Sequence, residues 1–157
     1  MSTHAHTHGA PGSSLWSQAV SATVHCLIGC ALGEVLGMVL GTALGWHNLG
    51  TVVLSIVLAF VFGYSLALRP VLRAGVPMAA ALAVVGAAET GSISVMELID
   101  NAIMLVVPGA MDAGLATGLF WVSLAASLAI AFVVTVPVNR WLISRGRGHA
   151  VMHDYHH

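Results

Sequence analysis

The feature that most constrains this chain is a series of four apolar stretches, each long enough to cross a lipid bilayer. A transmembrane helix requires roughly 20 predominantly apolar residues, and the stretches cover about residues 15–44, 49–68, 77–107 and 113–136. Only 7% of the 157 residues are charged, whereas soluble domains carry about 25%. The sequence therefore excludes a water-soluble globular protein and predicts an all-α integral membrane bundle of four transmembrane helices.

The third stretch is long for a single span. One helix from Pro77 to Val107 would measure about 46 Å at 1.5 Å per residue, against a hydrocarbon core of about 30 Å. Such a segment either tilts and protrudes from the core or breaks near Gly91. We favour one continuous helix, because a broken backbone at that depth requires protein or a wet cavity around it.

The few positive charges predict how the bundle is oriented. All five are arginines that follow either the second or the fourth stretch: Arg69, Arg73, Arg140, Arg145 and Arg147. With four spans these positions share one side of the membrane with the N-terminus, so the positive-inside rule places both termini in the cytoplasm. Polar, histidine-containing tails at 1–14 and 146–157 flank the predicted membrane domain at 15–145. We expect the first tail to be disordered.

Glycines recur at every fourth position of the first span. This glycine stripe consists of Gly29, Gly33, Gly37, Gly41 and Gly45. Small residues at this spacing form a groove in which a neighbouring helix backbone approaches closely. The stripe predicts tight packing against another span, a second copy of the chain or another membrane protein.

A second stripe on the same span carries side chains that bind metals, namely Cys26, Cys30, Glu34 and Met38, with His25 on its flank. Neighbouring members lie about 5–6 Å apart at Cβ, but the row drifts around the helix, so all four cannot meet one ion. Thiolate, imidazole and thioether groups are donors that copper(I) prefers, and thiolate with imidazole also suits zinc. Buried cysteine and methionine also serve as ordinary core residues. The acid is harder to explain structurally, because a charge within a span costs about 2.5–3.5 kcal/mol.

Polar and sulfur-containing side chains of the third span supply possible partners: Glu89, Met96, Glu97, Asp100 and Asn101. A polar face on a membrane helix is directed towards other helices or water. Counted from the start of each span, Cys26 lies at the depth of Glu89. Glu34 likewise matches Glu97, so we expect an inner and an outer tier of polar groups between the two spans. Asp112 is expected to cap the fourth helix.

The run from His25 to Glu34, His-Cys-x-x-Gly-Cys-x-x-Gly-Glu, resembles a bacterial family of small membrane proteins, domain of unknown function number 4396. The resemblance extends over most of the chain, including Met111 and Asp112 and the run from Asn139 to Leu142. It implies a multi-pass protein of the bacterial inner (cytoplasmic) membrane, and it brings no activity with it.

Two functional hypotheses follow. In the first, the protein binds or transports a transition-metal ion, copper before zinc, through the Cys, His, Glu and Met groups of the first span. The acids of the third span then continue a path or exchange protons. The glycine stripe would then build a homo-oligomer with the path at the subunit contacts. In the second, an accessory protein without a substrate docks another membrane protein through the glycine stripe.

Other classes of function are disfavoured by the sequence. We expect no enzyme, since hydrolase, nucleotide-binding and haem motifs are missing from the sequence, although two thiols leave redox chemistry open. No basic stripe exists to bind nucleic acid. The partner common to both hypotheses is the lipid bilayer.

Overall fold

A computed structural model of the chain describes residues 11–145, with side chains from residue 15 onward. Its helices are α1 (Pro11–Ala43), α2 (Asn48–Arg73), α3 (Met78–Val106) and α4 (Gly118–Ser144). All four are long and apolar enough to cross a membrane, and the described residues contain no strand. The prediction of an all-helical, multi-pass membrane protein is confirmed, and the third span is one continuous helix.

Several helix boundaries differ from the predicted ones. α1 begins at Pro11, inside the predicted N-terminal tail; the rest of that tail (1–10) and the tail at 146–157 lie outside the described residues. α2 and α4 continue through Pro70 and Pro137, to Arg73 and Ser144. Proline was expected to end both spans, but membrane helices tolerate it where neighbouring groups satisfy the freed backbone carbonyls.

The fourth helix also starts later than predicted, at Gly118 rather than near residue 113. Its N-cap is Thr117, whose hydroxyl accepts a hydrogen bond from the Phe120 backbone N–H at 3.4 Å. The prediction that Asp112 is the cap was wrong. Its carboxylate instead accepts a hydrogen bond from Asn48 Nδ2 at 2.9 Å, which ties the α3–α4 connection to the start of α2.

The glycine stripe of α1 is covered by α2. A Cβ atom added at any of four glycines would come closer than 3.0 Å to α2; Gly29 faces Gly63, Gly33 faces Ala59, Gly37 faces Ser55 and Gly41 faces Thr51. The partner numbers fall by four as the glycine numbers rise by four, which is the register of antiparallel helices. Gly45 is the exception, because it lies beyond α1 with a φ of 65° and nothing within 4 Å of an added Cβ. It ends the helix rather than packing it.

Polar side chains join α1, α3 and α4. Asn139 donates from Nδ2 to Thr23 Oγ1 at 2.8 Å, and its Oδ1 accepts a hydrogen bond from the Ser92 hydroxyl. All three residues are buried. Because an unsatisfied polar group in a membrane interior costs several kcal/mol, this three-helix contact fixes how α4 sits on α1 and α3.

The contacts also define the direction of each helix. Successive residues of α1 meet successive residues of α3, with Cys26 at Glu89 and Cys30 at Met96, so these helices run in parallel. α2 is antiparallel to α1 by the glycine register. α4 is antiparallel to α3, because Ser92 contacts Asn139 whereas Asp100, further along α3, contacts the earlier residue Ser127. The first and last described residues therefore lie at one end of the bundle, the terminal end, and the α1–α2 and α3–α4 connections lie at the other, the distal end.

Candidate functional site

Three sulfur-containing side chains belong to one buried cluster between α1 and α3. This sulfur cluster consists of Cys26, Cys30 and Met96, which are 0%, 2% and 1% exposed. The Cys30 thiol contacts the Met96 Sδ atom at 4.0 Å, and both cysteines are free thiols. Ala59, Ile93 and Ala131 pack around the three residues, so apolar groups separate the sulfur atoms from water.

The cluster owes its position to the packing of α1. The glycine stripe turns one face of α1 towards α2, and the neighbouring face then carries both cysteines towards α3. Cys26 and Cys30 are one helical turn apart, a spacing that keeps their side chains on the same side of the helix. The third sulfur comes from a different helix, so the cluster forms only when α1 and α3 are packed.

Glu89 lies beside the sulfur cluster, on the side of the terminal end. The Cys26 thiol donates a hydrogen bond to Glu89 Oε2 at 3.2 Å, and Glu89 is 2% exposed. The depth count along the first and third spans predicted this pairing. A buried carboxyl group in contact with a thiol is a ready acceptor for the proton that the thiol must lose before it can bind a metal.

A cavity of about 170 Å³ lies between the helices on the distal side of the sulfur cluster. We call this space the distal cavity. Its polar lining residues include Glu34, Glu97, Asp100 and Asn101. The exposed residues Trp46 and Asp112 line its mouth. The expected outer tier is therefore present, since Glu34 of α1 and Glu97 of α3 line the same space. Met38 also lies here and packs with Phe120 and Leu124, away from the cysteines.

Glu97 is the acid with the least compensated environment in the distal cavity. It is 6% exposed, and neither of its carboxyl oxygens accepts a hydrogen bond. Two neighbouring donors make their hydrogen-bond contacts with other atoms: the Cys30 thiol contacts Met96 Sδ, and Asn101 Nδ2 donates to the backbone oxygen of Glu97 at 2.8 Å. Asp100, by contrast, accepts a hydrogen bond from the Ser127 hydroxyl.

His25 lies on the surface, near enough to Glu89 to interact with it electrostatically, and outside both groups. Its side chain is exposed, its Nδ1 lies 2.7 Å from the Ser21 carbonyl oxygen, and it borders a surface recess with Arg69 and Arg73. The five candidate metal ligands of α1 thus lie in three different places. The cysteines lie in the sulfur cluster, Glu34 and Met38 lie in the distal cavity, and His25 lies on the surface of the terminal end.

The described residues include no group of three or more His, Cys, Asp or Glu side chains arranged to hold a metal ion. The donors that do converge are two thiols and the Met96 thioether. Sequence reasoning placed Met96 on the path but did not predict that it completes the cysteine pair. It also missed Ser127 and Asn139, whose only sequence signal is an isolated polar residue within or just after an apolar span.

The chain matches the model of one known protein family. The model of a family described as Domain of unknown function (DUF4396) matches residues 15–148, which include all of α2, α3 and α4 and most of α1. The chain belongs to the DUF4396 family. Neither the curated proteins nor the solved structures gave a match. The DUF4396 description names no activity.

Proposed function

We propose that this DUF4396 protein binds copper(I) at the sulfur cluster and transports it across the bacterial inner membrane, as a binding protein and not an enzyme. The observation that carries the proposal is the convergence of Cys26, Cys30 and Met96, from two helices, in one buried apolar cluster. Thioether is a typical copper(I) ligand, whereas structural zinc sites take four ligands drawn from thiolate and imidazole groups. Since His25 is not in the cluster, copper remains favoured over zinc.

The spacing of the sulfur atoms suits a metal centre. With metal–sulfur bonds of about 2.3 Å and angles of about 120°, two sulfur ligands of one ion lie about 4 Å apart. The Cys30 and Met96 sulfur atoms are 4.0 Å apart. Binding therefore requires little movement of α1 relative to α3 at this pair.

Glu89 supplies the acid–base chemistry of binding. A cysteine binds a metal as the thiolate, so each thiol releases its proton on binding. The Cys26 thiol already donates to Glu89 Oε2, and we propose that this carboxylate takes the Cys26 proton. The Cys30 proton leaves through the distal cavity, which reaches the cluster at Glu97. The apolar surroundings of the cluster would otherwise oppose the formation of a thiolate.

A route for the ion is supported by the order of polar groups along the bundle. The distal cavity ends at Glu97, which directly follows Met96 in the chain. Glu89 continues from the cluster towards the terminal end, where His25 and two arginines border a surface recess. We propose that the terminal end is cytoplasmic, because Arg69, Arg73, Arg140 and Arg145 are all at that end.

The alternative function, docking of a partner or a second copy through the glycine stripe, has no observation in its favour. α2 fills the stripe at four of its five glycines. A homo-oligomer of this protein would therefore use another surface of the bundle.

The proposal is tested by anaerobic titration of the detergent-solubilised full chain with copper(I) against a coloured copper(I) chelator. We compare the wild type with Cys26→Ser/Cys30→Ser, so that the histidine tails contribute equally to both proteins. The proposal predicts one tightly bound copper per wild-type chain that is lost from the double variant. An unchanged copper stoichiometry and affinity in the variant would contradict it.

A further inference from the structure

The distal cavity is lined by several acidic side chains and by no basic side chain. Glu34, Glu97, Asp100 and Asp112 all line it, and no lysine, arginine or histidine is among its lining residues. Residues 74–139 contain no basic side chain, and His47, at the distal end, lines a separate surface recess. The arginines at the terminal end therefore leave the acids of the cavity to be neutralised by another species.

Glu97 is the residue that points to a bound ligand. Its two carboxyl oxygens are buried, line the cavity and accept no hydrogen bond. Burying a carboxyl group without partners is costly, and an unpaired buried charge is more costly still. A cation in the cavity would supply the missing partner for both oxygens.

The donor atoms around Glu97 suit one class of cation. Glu34 and Asp100 offer carboxylate oxygens, and the Asn101 side chain keeps its amide oxygen free to accept, because its Nδ2 is bonded to the Glu97 backbone. Carboxylate, carbonyl and water oxygens are the ligands of Mg²⁺, Ca²⁺ and Mn²⁺. A cavity of about 170 Å³ has room for an ion with several water molecules. The thioethers of Met38 and Met104 pack with Phe120 and Leu124 and thus serve as part of the apolar wall.

We propose that the distal cavity is a second ion site, which binds a hydrated divalent cation with Glu97 as its direct ligand. The cavity acids do not form a group of three around one point, so the other acids contact the ion through its water molecules. The site is separate from the sulfur cluster in both position and donor chemistry. It stands whether or not copper binds to the cysteines, and the two are tested with different ions.

Terbium(III) is the probe for this site, because it prefers oxygen ligands, does not favour histidine and emits when a nearby tryptophan is excited. Trp46 lines the cavity. The full chain in a neutral detergent is titrated with Tb³⁺, and Ca²⁺ and Mg²⁺ are then added as competitors. We expect saturable emission that a divalent ion displaces, and loss of the emission in Trp46→Phe.

The variants decide where the ion binds. Glu97→Gln is expected to weaken Tb³⁺ binding by about tenfold or more, because ligand charge sets the affinity of such sites. Asp154→Asn, which removes an acid outside the described residues, is expected to leave binding unchanged. Size-exclusion chromatography and circular dichroism check folding, and Glu34→Gln gives the same test from α1 if Glu97→Gln yields too little folded protein.

Three results would overturn the proposal. The first is the lack of saturable, Trp46-sensitised emission in the wild type. The second is a Tb³⁺ affinity that is unchanged from the wild type in both Glu97→Gln and Glu34→Gln. The third is a loss of binding in Asp112→Asn alone, since that residue lies at the mouth of the cavity and its loss would indicate surface binding.

Discussion

Met96 of α3 packs with the two cysteines of α1 in one buried cluster. Its Sδ atom contacts the Cys30 thiol, whereas Met104, two turns further along α3, packs at the wall of the distal cavity. Met104 is half-buried and lies away from the cysteines, whereas Met96 is buried beside them. They therefore form a matched pair for separating a ligand from a packing residue.

We expect Met96→Leu to lower copper(I) affinity by about tenfold or more, a loss of about 1.4 kcal/mol or greater, while Met104→Leu leaves the affinity unchanged. Either exchange conserves volume and should cost less than about 1.5 kcal/mol of folding stability. The chelator competition titration measures the affinity. Equal affinities for the two variants would show that the thioether of Met96 is not a ligand.

Glu89 is the second residue whose role can be isolated. Glu89→Gln keeps the shape of the side chain but removes its capacity to take a proton from Cys26. Partners of metal ligands typically contribute about 10–100-fold to affinity, and we expect a loss in that range. Asp112→Asn, at the mouth of the distal cavity, is the control, and a loss of the same size in both variants would argue against a specific role for Glu89.

At the scale of elements, the contact of α1 with α2 is the closest in the bundle. An added Cβ at Gly33 would clash with the backbone of Ala59, which cannot turn aside as a side chain can. An added Cβ at Gly86 of α3 meets nothing within 4 Å. These two glycines are thus opposite cases of the same substitution.

We predict that Gly33→Ala lowers the free energy of unfolding by about 1–3 kcal/mol through overpacking. Gly86→Ala should raise it by up to about 1 kcal/mol, because alanine is the better helix former. Unfolding in mixed micelles with increasing denaturing detergent measures both. A Gly33→Ala protein as stable as the wild type would mean that α2 does not occupy the groove.

The sequence predicted the elements better than their ends and their facing directions. Four spans, the continuity of α3 and the pairing of Cys26 with Glu89 follow from hydropathy and helical rise. Pro70 and Pro137 were misjudged because local propensity favours termination there, whereas packing sustains the helices. The exposed position of His25 was not predicted, because the rotation of α1 is set by α2, which spacing on α1 alone does not reveal.

The distal cavity could not be derived from any single span. Its lining includes α1, α2, α3 and both distal connections, including Trp46 and Asp112. Spacing rules relate residues on one helix, so they indicated the acids of α3 as a polar face. They gave no account of the space that those acids enclose or of the missing partners of Glu97.

For the whole molecule, charge is separated along the bundle. The arginines of the described chain lie at the terminal end, and the acids lie within the bundle and towards the distal end. Under the positive-inside rule, this separation is the basis for our proposal that the terminal end is cytoplasmic.

The orientation predicts the results of reporter fusions. Green fluorescent protein fused to the C-terminus should fluoresce, because that end remains in the cytoplasm. Alkaline phosphatase fused within the α1–α2 connection, after His47, should be active because that connection faces outward. The opposite pattern of reporter activities would contradict the proposed orientation, because it would place the terminal end and the mouth of the distal cavity on the other sides of the membrane.

The central claim, that copper(I) is bound by the sulfur cluster, is tested most directly by X-ray absorption spectroscopy of the copper-loaded full chain. The account predicts a first shell of sulfur alone, with copper–sulfur distances of about 2.3 Å and fewer sulfur neighbours in Met96→Leu. A first shell of nitrogen or oxygen in the wild type, as histidine or carboxylate binding would give, would contradict it.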